Sequence, residues 1–226
     1  AGASAYQQAI DAWSAETGNE LALIDTSLVR GQASYAGNVA QITTEKCDSI
    51  FINEVAPAVT SFLSEATNQG ISLPVLALTP TYSQEFVDTL NYSGDIYLPA
   101  EFSPWSDPED PSNDEWLALM EENGIGITSF AQGGYLAAKA FIAILETTDG
   151  DLTRESFTEA AKAMTDPMDT NGMIGTPWFF GPGDSHQPNA AGWPLIIKAN
   201  SGEFTSVGPW FIGTDNGWVN TTVPNS

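Results

Sequence analysis

The sequence predicts an α/β chain: a Rossmann-like parallel sheet with flanking helices, followed by crossing helices and short C-terminal strands. Three observations carry that expectation. Short apolar runs alternate with amphipathic helical patterns through Leu90, joined by connections of a few residues, which marks βαβ units and a parallel sheet. Ile50-Phe51-Ile52 is apolar without alternation, the pattern of a strand covered on both faces. From Asn171 onward, Gly and Pro punctuate only short apolar runs.

The elements follow in order. Tyr6, Ala9, Ile10 and Trp13 recur at helical spacing across residues 4–17, with Ser4 as N-cap and Gly18 as the stop. Leu21 to Ile24 reads as a strand. Tyr35, Val39 and Ile42 mark a second helix after the loop 31–34. Cys47 precedes the central strand, 49–53, and reads as a small buried residue. A helix from Pro57 then presents Val59, Phe62, Leu63 and Ala66 on one face before Gly70. Leu73 to Leu78 is a third strand, and Thr79-Pro80-Thr81-Tyr82 leads from it into a short helix bearing Phe86, Val87 and Leu90.

Ile96-Tyr97-Leu98 is a further strand that runs into a Pro-, Asp- and Ser-rich stretch, 103–113, expected to cross the surface. Ser112-Asn113-Asp114-Glu115 reads as a capping box for a helix with Trp116, Leu117 and Met120. The helix at 128–146 is apolar around much of its circumference, so it should be covered on more than one side. Another starts at 152–155, carries Phe157, Ala160, Ala161 and Met164, and stops before Pro167. Short strands are expected at 178–180, 194–198 and 207–212. There is no internal repeat.

Charge narrows the function. Six Lys plus Arg against 29 Asp plus Glu give a net charge of −23, which repels nucleic acid and anionic lipid. A solvated acidic surface is the plain reading of that balance, and a field that draws in cations is the functional one. No run reaches the roughly 18 apolar residues of a membrane span.

Motifs exclude several chemistries. One His, His186, and one Cys, far apart, fit no zinc pattern, and neither a G-x-G-x-x-G nor a G-x-x-x-x-G-K-[ST] loop occurs. No G-x-S-x-G elbow would pair with His186, which reads as a loop hydrogen-bonding residue. Seven Trp and many carboxylates raise a carbohydrate-processing enzyme as an alternative, needing two converging carboxylates, for which Glu54, Glu101 and Asp25 stand near strand ends. Trp13 and Trp116, however, fall on helix faces where core packing is expected.

The order of features resembles the type I periplasmic solute-binding proteins of ABC transporters, specifically the leucine/isoleucine/valine-binding family. Three stretches carry the resemblance: residues 4–78, with the first helix and two βαβ units; Ser129-Phe130-Ala131-Gln132-Gly133-Gly134-Tyr135, with Leu152 to Phe157 behind it; and Gly172-Met173-Ile174-Gly175-Thr176-Pro177-Trp178, followed by His186, Gly202 and Val207-Gly208-Pro209-Trp210. Family members begin with a further lobe of about a hundred residues, so the resemblance implies a C-terminal portion lacking most of the first lobe. It further implies that residues 1–99 form the second lobe, that 100–172 cross and supply helices to the first lobe, and that 173–226 return to the second. Hinge strands are expected near 97–102 and 167–174.

The resemblance also implies a function: an extracytoplasmic receptor, with or without a lipid anchor, holding a small polar solute such as an amino acid between two lobes. It would deliver that solute to an ABC permease, without catalysis, cofactor or metal. Position by position, the ligand residues implied are Ser4, Asn53, Glu54, Val55, Thr79, Thr81 and Tyr82. Glu54 would pair an ammonium, the hydroxyls would hold polar ends, and Tyr82 would form a wall. The chain departs from the family at Ala1 and near Glu54, where an aromatic is usual, and at Thr79-Pro80-Thr81, where an acidic residue is. The solute class is therefore open. The apolar helix at 128–146 would meet the first lobe or a second copy, and an interaction module without ligand is the remaining alternative.

Overall fold

In the computed structural model, backbone is described for residues 2–22, 28–29, 31–181, 191–198, 200–208, 210–214 and 217–220, and side chains within those ranges from residue 6 to 211. The chain divides into two compact units, Ala1–Asp48 and Ser49–Ser226.

The first unit contains two helices, α1 (Gly2–Thr17) and α2 (Ala36–Thr44). Helix α1 starts ahead of Ser4, which therefore lies inside the helix and not at its cap. Gly18 does end it, with φ +71° and its N–H returning 2.9 Å to the Ser14 carbonyl. That left-handed turn suits a residue without Cβ. Trp13 is 44% exposed, contrary to its expected core role. Val39 and Ile42 of α2 are buried as expected. Leu21 has no regular structure, and the rest of the strand expected there lies mostly outside the described residues, as do Asp25 and His186. Cys47 is a free thiol and only half-buried.

The second unit is built on one sheet. Strands β1 (Ile50–Phe51), β2 (Val75–Leu76) and β3 (Ile96–Ala100) run parallel, in the register Phe51–Leu76–Tyr97. Strand β4 (Ala191–Ile197) returns antiparallel against β3, pairing Ile96 with Ile197 and Ala100 with Trp193. Strands β5 (Phe204–Ser206), β6 (Phe211–Thr214) and β7 (Gly217–Asn220) extend it by antiparallel pairing.

Side chains alternate across a sheet with period 2, and burial follows that period here. Ile50, Ile52, Val75, Ala77, Ile96 and Leu98 are buried, together with Val59, Phe62, Leu63 and Ala66 of α3 (Ala56–Asn68) and Phe86 and Val87 of α4 (Gln84–Thr89). Phe51, Leu76 and Tyr97, neighbours in register on the other face, remain 37–46% exposed. The two-sided burial expected at 50–52 is thus one-sided: an all-apolar run does not distinguish the faces, whereas the covering helices do.

Past β3 the chain enters the crossing region, with α5 (Asp114–Asn123), α6 (Ser129–Glu146) and α7 (Arg154–Ala163). The stretch 103–113 is not merely a surface crossing, because Ser103, Ser112 and Asn113 are buried. Nor does Ser112 open a capping box: α5 has Asn113 at its N-cap without a side-chain cap bond. Both side chains are committed instead to Ser103, whose hydroxyl contacts Ser112 and accepts 2.8 Å from Asn113 Nδ2. Helix α6 buries Gln132, Leu136, Ala140 and Ile144, spaced four apart, and leaves Phe130, Phe141 and Ile142 more than half exposed. One side is covered in this chain, not more. Trp116, Met120, Leu136, Met173 and Ile174 form the core beneath. Residues 178–180 are irregular rather than a strand, and of the strand expected at 207–212 only Phe211 and Ile212 are strand, in β6, whereas 207, 208 and 210 are not. Among the described residues no helix is long and apolar enough to cross a membrane.

Candidate functional site

Because β1, β2 and β3 are parallel, the loops that follow them leave from the same edge of the sheet. Continuing the register two residues past Phe51, Leu76 and Tyr97 aligns Asn53, Leu78 and Pro99 there. In open α/β sheets this carboxyl edge is where ligands lie, against helix N-termini. The loop after β1 enters α3 with Val55 at the N-cap and Pro57 in the first turn, where its missing N–H costs nothing. Asn53 is exposed, Glu54 half-buried and Val55 47% exposed.

The loop after β2 folds into a 3-10 turn, Thr79–Thr81, that sequence reading did not find. Both of its hydroxyls are satisfied inside the protein. Thr79 Oγ1 donates 2.9 Å to the Pro99 carbonyl, and Thr81 Oγ1 donates 2.7 Å to that of Leu78. Thr79, Thr81 and Tyr82 are 7%, 0% and 0% exposed. Tyr82 stacks on Trp105 with ring centroids 3.5 Å apart and 18° between planes, meets Phe204 edge-on at 4.7 Å, and shares a 3.2 Å hydrogen bond with the Ser106 hydroxyl. Burial therefore pushes its phenol well above the ordinary tyrosine range, and it stays neutral.

Helix α6 fastens this loop. Ser129 Oγ donates 3.0 Å to the Thr79 carbonyl, the Ser129 N–H donates 3.1 Å to the Tyr82 carbonyl, and Ser83 bridges Thr128 antiparallel. The structure thus brings Thr79, Thr81 and Tyr82 together at the edge that Asn53, Glu54 and Val55 also reach. Ser4 belongs to the other unit, within α1. Trp105 and Ser129 were not singled out from sequence as supports of this loop. A serine at the start of an apolar helix was the available signal, since such a hydroxyl must find a partner when buried. Glu101, just past β3, is exposed.

This fold and edge define an α/β binding lobe whose sheet is completed by a returning C-terminal segment. The sequence pattern of the periplasmic binding proteins matches residues 1–202, and the chain belongs to that family. Among solved structures, a branched-chain amino acid ABC transporter protein from Thermus thermophilus with bound valine is 14% identical, with a TM-score of 0.71 over 90% of this chain and 55% of its own. A leucine binding protein from Thermotoga maritima is 15% identical, with a TM-score of 0.64 over 86% and 53%. A fatty acid ABC transporter substrate-binding protein from Thermomonospora curvata is 21% identical, with a TM-score of 0.66 over 90% and 52%. The chain spans about half the length of the structures it matches. No curated protein sequence matches it.

Proposed function

We propose that the chain is part of the solute-holding component of an ABC transporter, and that its ligand is a small polar molecule of the amino-acid class. The observation that carries this reading is the carboxyl edge of three parallel strands, where the exposed Asn53 and half-buried Glu54 follow β1 and the buried 3-10 turn Thr79–Thr81 follows β2. Glu54 would face the ligand ammonium, and Asn53 and the first N–H groups of α3 would face its carboxylate. Val55 would supply an apolar contact. Thr79, Thr81 and Tyr82 would form the floor, their side chains holding its shape. The valine-bound and leucine-binding neighbours support this class, whereas the fatty-acid neighbour shows that the same fold serves other solutes.

In this reading residues 1–99 and 173–226 build one lobe, 100–172 reach across to a second, and closure about β3 and the segment near 167–174, which is irregular rather than the expected strand, traps the solute. The receptor works outside the cytoplasm, on an ABC permease, and transforms nothing. With the contacts of one lobe, residues 1–226 hold the solute only at millimolar strength. Thermal unfolding tests this. A ligand at 20 mM with a Kd on the order of 1 mM stabilises by about 1.8 kcal/mol, enough for a resolved shift. Valine, leucine or a polar amino acid should raise the midpoint in wild type and fail to do so in Glu54→Gln. A rise of equal size in both variants removes Glu54 from the site, and no rise with any amino acid removes the ligand class.

A further inference from the structure

A hollow separate in its residues from the β-edge lies where the crossing region meets the C-terminal strands. Its volume is about 690 Å³, within the range of small-molecule sites. Two indoles wall it, Trp193 and Trp210, in a T-shaped pair with centroids 5.1 Å apart. Both are held. Trp193 Nε1 donates 2.6 Å to Ser206 Oγ, and Trp210, 6% exposed, sits so close to Gly175 that a Cβ there would come within 2.4 Å of its ring.

Four carboxylates line the same hollow: Asp107, Glu109, Asp110 and Asp169. Among the described residues that line it, none is Lys, Arg or His, so none of these carries a neutralising charge. An anion is therefore repelled. A bare metal ion is poorly served too, since the described residues contain no group of three or more His, Cys, Asp or Glu close enough to hold one. Acids dispersed around a wide aromatic cavity suit a cation that is itself bulky, with charge spread over an apolar body. Indole faces attract such cations through the ring quadrupole, and the surrounding carboxylates supply the long-range field.

We infer that this hollow is a second binding site, for a small organic ammonium, walled by Trp193 and Trp210 and charged by Asp107, Glu109, Asp110 and Asp169. It does not depend on the solute proposed for the β-edge.

Tetramethylammonium chloride is the probe, titrated against tryptophan fluorescence at constant ionic strength with NaCl as the compensating salt. The expected result is a saturable change with a Kd in the millimolar range. In Asp107→Asn/Asp169→Asn two charges vanish while an amide oxygen can still accept the N–H of Glu109 and of Asn171 that the aspartates now hold at 3.0 and 2.8 Å. Affinity should fall at least fivefold there, and in Trp193→Leu saturation should be lost, with circular dichroism reporting the fold of each. If Trp193→Leu does not fold, the aspartate pair decides alone. A linear response, a response matched by NaCl alone, or an unchanged Kd in the aspartate variant overturns the site. So does competition by an amino acid that binds at the β-edge, because the cation would then be sitting beside Glu54.

Discussion

Gln132 donates 2.7 Å from its side-chain nitrogen to Asn113 Oδ1, and each residue is only 1% exposed. The bond joins the first turns of α6 to the start of α5, and both amides also reach the carbonyl of Ser103, at 2.9 and 3.1 Å. Ser103 in turn donates its N–H 2.8 Å to the Met173 carbonyl, so the residue just past the first expected hinge, 97–102, is tied to the second, 167–174, through one polar cluster. A fully satisfied buried network fixes one arrangement, and a partly satisfied one is costly.

Gln132→Leu keeps much of the volume but strands Asn113 Oδ1 and removes one donor from Ser103. The expected loss is about 2–3 kcal/mol, read as a lower urea midpoint. Asn113→Ala should cost a similar amount, and the double variant clearly less than the sum of the singles, because the pair shares one interaction. Additive costs would mean that the two amides act independently.

Gly175 packs against the core through its lack of a side chain. A Cβ there would lie 2.4 Å from Trp210 and 2.7 Å from Ala191 Cβ, while its backbone needs no left-handed turn. Gly175→Ala should therefore destabilise by about 1–3 kcal/mol through overpacking alone, with an altered tryptophan emission. An unchanged unfolding midpoint would show that Trp210 can move aside.

The parallel core was legible because each of its strands and helices announces itself locally. Val59, Phe62, Leu63 and Ala66 fall on one helical face, and all four are buried. What sequence did not carry was how polar groups are shared across distance. Ser112 looks like a helix cap three residues before Glu115, yet its hydroxyl meets Ser103, nine residues upstream. Tyr82 looks like a side chain at a ligand edge, yet Trp105 and Phe204, remote in sequence, enclose it. Strand faces were equally hidden, since Phe51 differs from Ile50 and Ile52 only in which side the helices cover.

Alkaline pH should expose the buried tyrosines. Tyr92 is 5% exposed, donates 2.6 Å to the Leu73 carbonyl, and is pushed by burial up to about 12. Its folded pKa lies above the unfolded value near 10, so its contribution is complete below pH 10 and fades as pH rises through 12. Lys198, raised by its 3.0 Å hydrogen bond to Asp95, acts with the same sign. The Tyr92 share is on the order of 2–3 kcal/mol at most. In Tyr92→Phe, urea midpoints taken at pH 9 and pH 11.5 should differ less than in wild type. Identical slopes would deny Tyr92 that role.

Ser129 offers the sharpest separation between the support of the binding edge and the edge itself. Its hydroxyl holds the Thr79 carbonyl at 3.0 Å, and Thr79 Oγ1 holds that of Pro99, so α6, the 3-10 turn and β3 form one hydrogen-bonded chain. Ser129 is buried, so no water readily replaces the lost donor in Ser129→Ala, and about 1–2 kcal/mol of stability should go. The turn would then sample other positions, and the amino-acid response proposed for Glu54 should weaken several-fold without disappearing. Ser129→Thr, which restores the hydroxyl, should recover most of both. Loss of stability with an undiminished ligand response would show that the turn stays in place without α6. A response abolished as completely as in Glu54→Gln would instead put Ser129 in contact with the ligand.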